Sequence, residues 1–144
     1  MSKPANNSAV IELHVPDFGV TKEFYGKLGF TTVWETKPEG FEGYMVMKMD
    51  NNIICFWAGN NEVYSHPYFK KFPKETPRGY AVEIIIFVED IKNYYEKIKK
   101  FANVVEELHM EPWGYEDFRI TDPFGFYIRV SSPYNTLYDS VAVK

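Results

Sequence analysis

Apolar and polar residues alternate through Ala-Val-Ile-Glu-Leu-His-Val at 9–15 and stop at Pro16, which predicts a strand. Asp17 is placed to cap a helix, and Val20, Phe24, Tyr25 and Leu28 repeat at helical spacing until Gly29 ends the run. Three β-rich stretches follow, Phe30–Glu35, Gly43–Met49 and Ile53–Trp57, parted by turns at Pro38-Glu39-Gly40 and Asp50-Asn51-Asn52. The order is strand, helix, strand, strand, strand. Residues 59–78 carry Pro67, Pro73 and Pro77 without a period and read as a connector holding one helical turn. A connector that long tends to cover a pocket or reach a partner.

The same order then returns. Tyr80–Val88 reads as a strand, and Glu89-Asp90 caps a helix whose stripe is Ile91, Tyr94, Tyr95 and Ile98, ended by Asn103. Strands at Val104–Leu108, Asp117–Ile120 and Phe126–Val130 are separated by Trp113-Gly114 and by Asp122-Pro123-Phe124-Gly125. The expected fold is α+β. Tandem βαβββ modules at 9–58 and 79–132 form one domain over 1–144, a curved mixed sheet around a cavity with helices on the outer face. Residues 133–144 form a tail that packs on a partner or frays.

Period-two alternation also sorts the faces. Ile11, Leu13 and Val15 suit the helix side, so Val10, Glu12 and His14 point the other way. In the repeat, Val82, Ile84, Ile86 and Val88 take the helix side and Glu83, Ile85 and Phe87 the opposite one. Phe126, Ile128 and Val130 face inward, against Tyr127 and Arg129. The stretch 53–57 is apolar on both faces, so Ile53/Cys55/Trp57 and Ile54/Phe56 are equal candidates for the cavity side. The opposite face thus mixes carboxylate, guanidinium, imidazole, thiol and aromatic groups, the lining a ligand cavity uses.

Composition narrows the classes. The 144 residues are 45% hydrophobic and 25% charged, ordinary for a globular chain. The aromatic share, 18%, serves cores first and also flat or cationic ligands. A net charge of −4 and no basic stripe set nucleic acid aside. The single cysteine, Cys55, excludes an internal disulfide, and a polar start with no long apolar run points to a cytoplasmic protein that does not span a membrane.

Asp17-Phe18 followed by Lys22-Glu23-Phe24-Tyr25-Gly26-Lys27-Leu28-Gly29-Phe30 resembles the first-helix signature of the vicinal-oxygen-chelate superfamily. Val88-Glu89-Asp90-Ile91, Trp113-Gly114 and Phe118-Arg119-Ile120-Thr121-Asp122-Pro123-Phe124-Gly125 resemble its later motifs, so the likeness covers about residues 9–132. That superfamily includes glyoxalase I, extradiol dioxygenases and bleomycin-resistance proteins. Its metal enzymes draw His and Glu ligands from the first and last strands of each module. The resemblance puts those positions at Val10, Cys55 (or Ile54), Glu83 and Arg129. Valine has no lone pair and arginine is a fixed cation, so no metal and no cofactor is expected. An ion pair of Glu83 with Arg129 is expected instead, either as glue between strands or to orient a ligand.

The resemblance is closest to the metal-free bleomycin-resistance branch. It implies a homodimer that sequesters or carries a small aromatic or amphipathic molecule. The candidate ligand-binding residues are Glu12, His14, Trp34, Cys55, Trp57, Glu83, Phe87, Trp113, Tyr127 and Arg129. The alternative is a glyoxalase-like lyase or isomerase with an atypical site, in which Glu12, His14 or Glu83 would be the catalytic group. A third reading is an interaction module with no ligand. His66 and His109 are taken as surface or loop residues.

Overall fold

A computed structural model describes residues 9–37, 39, 43–58 and 62–134. The chain divides into two compact units, Met1–Glu75 and Thr76–Lys144. Most of the connector therefore belongs with the first unit. Pro38, Gly40 and tail residues 135–144 lie outside the described residues.

In the first unit, β1 (Ile11–Val15) leads into α1 (Phe18–Leu28), then β2 (Thr31–Thr36), β3 (Tyr44–Met49) and β4 (Asn52–Ala58). The sheet order is β1-β4-β3-β2, with β1 and β4 parallel and the remaining pairs antiparallel. Asp17 caps α1 by accepting from the Val20 amide at 2.9 Å, and Gly29 ends it at φ +118, a conformation that costs glycine little. The buried stripe is Thr21, Phe24, Tyr25 and Leu28, so the expected Val20 is replaced by Thr21. Thr21 tolerates burial because its hydroxyl donates to the Asp17 carbonyl at 2.7 Å. Tyr25 stacks at 5.0 Å on Phe56, which is fully buried. That contact settles β4: Ile54 and Phe56 face the helix side, and Cys55 and Trp57 stand beside Glu12 and His14 on the other face. Ile11, at the open end of β1, is 49% exposed rather than covered. In place of one helical turn, the connector has a short helix α2 (Glu62–Ser65) and a 3-10 turn at Phe69–Lys71.

The second unit repeats the plan with β5 (Glu83–Phe87), α3 (Ile91–Ile98), β6 (Asn103–Met110), β7 (Glu116–Thr121) and β8 (Tyr127–Ser131), ordered β5-β8-β7-β6. Here β5 and β8 are the parallel pair. β5 begins three residues later than expected. Gly79 and Ala81 take left-handed φ values of +69 and +63, closing a turn in which the Val82 amide donates to the Gly79 carbonyl at 2.9 Å. Val82 is consequently 53% exposed and does not pack under the helix. Asn103 does not end α3; it opens β6, its side-chain amide donating to Thr121 at 2.8 Å. β6 runs on to Met110 through two register shifts against β7, which is why simple alternation misplaced its end. Ile84, Ile86, Phe118, Ile120, Ile128 and Val130 form the buried side. Among the described residues, no helix is long and apolar enough to cross a membrane.

Candidate functional site

The first unit carries a cleft of about 450 Å³ on the sheet face away from α1. Strand register builds it: Glu12 sits opposite Cys55, His14 opposite Trp57, Trp57 opposite Tyr44, and Tyr44 opposite Thr36. Trp34, Gly43 and His66 complete the lining. The Tyr44 hydroxyl donates to Glu12 Oε2 at 2.6 Å. Burial, followed by the hydrogen bonds to Glu12 and Cys55, holds the Tyr44 phenol far above its ordinary value, so it stays a neutral donor. Cys55 is 5% exposed and lies behind this contact.

The imidazole of His14 meets the Trp57 indole edge-on at 4.0 Å between ring centroids and Phe69 at 5.1 Å. His66 approaches Phe69 at 4.7 Å, Trp57 at 6.0 Å and His14 at 6.1 Å. His66 is positioned by its own chain, its Nδ1 accepting from the Tyr68 amide at 3.0 Å. His66 is a half-exposed loop residue, and from the loop it closes one side of the cleft. Trp34 is 53% exposed at the rim, 6.1 Å from Tyr44. The result is an aromatic wall around one carboxylate.

The second unit presents a different, charged face. Arg129 Nε lies 3.4 Å from Glu83 Oε1, the expected pair, but Arg119 reaches the same oxygen at 3.6 Å. Arg119 also donates to Glu106 at 2.7 Å, and Arg129 stands 3.8 Å from Asp117. Asp117 is fully buried; burial first, then the adjoining Glu111 carboxyl, push its pKa up to about 6 against the pull of both arginines. His109, partly exposed on β6, has its Nε2 2.6 Å from Glu111 Oε1, and the Glu107 carbonyl at its Nδ1, with the two neighbouring carboxylates, raises its pKa. Glu83 and Tyr127 border a shallow cleft of about 340 Å³ formed mainly by residues 77–82. Phe87 packs on Tyr134 at 4.9 Å, and Trp113 is half-buried in the turn between β6 and β7.

Of the ten expected ligand residues, Glu12, His14, Trp34 and Trp57 share one cleft, with Cys55 behind it. Glu83, Phe87, Tyr127 and Arg129 share a sheet face of the other unit, and Trp113 stands apart in its turn. Tyr44 and His66 were missed. Alternation along β3 could have found Tyr44, whereas the aperiodic connector gave no signal for His66. Taken unit by unit, the positions named by the resemblance are poor donors for a divalent ion: in the first Val10 has no lone pair, and in the second Arg129 is a cation already paired to Glu83.

The model of the Glyoxalase/Bleomycin resistance protein/Dioxygenase superfamily matches residues 8–130. Among solved structures, TioX from Micromonospora sp. ML1 superposes with a TM-score of 0.68 at 16% identity, over 88% of this chain and 98% of that one. A bleomycin-binding protein complexed with bleomycin gives 0.56 at 18% identity, over 90% and 100%. The bleomycin resistance determinant of transposon Tn5 gives 0.60 at 18%, with the same coverage. These likenesses concern the fold. No curated protein sequence matches significantly.

Proposed function

Because the chain belongs to the glyoxalase/bleomycin resistance protein/dioxygenase superfamily, we propose that it binds a small aromatic or amphipathic organic molecule in the cleft of its first unit. It does so without a metal, as a sequestering or carrier protein. The observation that carries this reading is the lining itself. Trp34, Tyr44, Trp57, His14 and His66 offer ring faces and edges, and Glu12, held by Tyr44, offers one anchored carboxylate. Apolar walls with one or two fixed polar groups are how pockets of a few hundred Å³ hold drug-sized ligands. A flat ligand gains stacking on the indoles, and a positive charge on it gains from both the rings and Glu12. A relative of the same fold binding bleomycin supports the ligand class without naming the ligand. A cytoplasmic homodimer is part of the same reading.

The test is calorimetric titration with a panel of aromatic and amphipathic compounds, bleomycin included, in the presence of a chelator. Saturable binding that weakens tenfold or more in Trp57→Ala and in Glu12→Gln is expected, each fold tenfold being about 1.4 kcal/mol. Binding untouched by both changes, or abolished by the chelator, refutes the reading. A lyase or isomerase remains the second reading, favoured by two imidazoles, His14 and His66, 6.1 Å apart in the cleft that Glu12 also lines. It requires turnover of a carbonyl substrate that disappears in His14→Ala while the fold persists.

A further inference from the structure

The charged face of the second unit holds a donor set unrelated to the four strand positions considered above. Glu106 and His109 lie on β6, and Glu111 opens the turn that follows. One ligand atom from each falls within 4.8 Å of the others. His109 Nδ1 stands 2.7 Å from the Glu107 carbonyl oxygen, so Nδ1 must carry the proton. Its Nε2 lies 2.6 Å from Glu111 Oε1 and 3.4 Å from Glu106 Oε1. An imidazole fixed through one nitrogen by a backbone carbonyl, with the other turned toward carboxylates, is how a metal-ligating histidine is held. The carboxylates are fixed as well. Arg119 holds Glu106 through its other oxygen at 2.7 Å, and the backbone of Glu111 is bonded to Tyr115 and Gly114 at 2.9 and 3.0 Å.

A second observation comes from the neighbouring strand. Asp117 pairs with His109 in register and is fully buried, yet neither of its oxygens accepts a hydrogen bond among the described residues. The guanidinium of Arg129 stays at 3.8 Å, and the carboxyl it adjoins belongs to Glu111. Glu111 Oε1 is buried without a directed hydrogen bond too, since its contact with His109 lacks that geometry. Buried carboxylates without donors are costly and call for a positive group. On this face four carboxylates, Glu83, Glu106, Glu111 and Asp117, meet two guanidiniums and one imidazole.

We propose that Glu106, His109 and Glu111 form a binding site for a divalent transition-metal cation of the zinc type, with the Asp117 carboxylate adjoining it. One imidazole nitrogen with carboxylate oxygens is a donor set zinc and its neighbours accept, at about 2.0–2.2 Å per ligand. The ion enters between His109 and Glu111, whose facing atoms separate by less than about 1 Å to admit it, and any proton on Nε2 leaves to solvent. Both unsatisfied carboxylates then gain a cation, and the β6–β7 turn is tied to the sheet.

Calorimetry of the chelator-stripped, re-exchanged full chain with Zn²⁺, and visible absorption with Co²⁺, test the site. One equivalent bound at micromolar or tighter affinity is expected. It should weaken at least a hundredfold in His109→Ala and in Glu111→Gln, and be unchanged in His14→Ala. Where Glu111→Gln does not fold, Glu106→Gln, a half-exposed change, serves the same purpose. No binding below millimolar, binding that persists in His109→Ala, or binding lost in His14→Ala would each overturn the assignment.

Discussion

Replacing Asp122 by alanine tests why the Asp122-Pro123-Phe124-Gly125 motif is there. Asp122 is 4% exposed, and its Oδ1 accepts from the Phe124 amide at 2.8 Å and from the buried Phe126 amide at 2.9 Å. The main chain closes the same turn, Gly125 donating to the Asp122 carbonyl at 3.2 Å and Asp122 to the Phe126 carbonyl at 2.9 Å. Alanine leaves two amides without their acceptor. A buried group so orphaned costs about 1–3 kcal/mol; with the Phe124 amide only part-buried, the total comes to about 2–4 kcal/mol. For a chain of this size that lowers Tm by about 5–15 °C. Asparagine keeps an oxygen at the same place and should cost about 1 kcal/mol. The assay is urea unfolding of the three proteins, with hydrogen exchange at the Phe126 amide as the local readout. A loss below about 0.5 kcal/mol in the alanine variant, or equal losses in both variants, would refute the motif's role as a turn cap.

Phe56→Ala removes a fully buried ring from under Tyr25 and should cost about 3–5 kcal/mol, read as a fall in the urea midpoint; a loss below about 1 kcal/mol would mean the first unit has no such core. Burial raises the Tyr94 phenol above its ordinary value of 10.0, so the folded state favours the neutral form. Stability from this group is full below about pH 10 and is lost as pH rises, because the unfolded chain ionises first. Unfolding titrations at pH 9 and 11 should therefore show a smaller loss in Tyr94→Phe than in the parent, and equal losses would contradict the burial. Gly79→Ala should cost about 1–2 kcal/mol, since the residue is at φ +69 and a Cβ would lie 2.6 Å from the Phe126 ring; a neutral thermal melt would deny that turn.

The βαβββ repeat was legible along the chain because local physics writes it there. Period-two and helical spacings, Asp17 and Asp90 at helix starts, and Gly29 at a helix stop each act within a few residues, and the structure keeps both helices and all eight strands. Half of the first cleft was legible for the same reason: alternation put Glu12 and His14 on one face of β1. What only tertiary structure decided was anything requiring a partner strand or an aperiodic segment. Tyr25 packing on Phe56 chose the face of β4 and so brought Trp57 to His14. The connector carried His66 into the cleft through loop geometry that has no repeat to read. Register shifts in β6 gathered Glu106, His109 and Glu111 around one point, with Asp117 opposite His109 on β7, although sequence spacing alone assigns them no common face. Alternation is a property of one strand, whereas a site is set by which strands lie side by side and in what register.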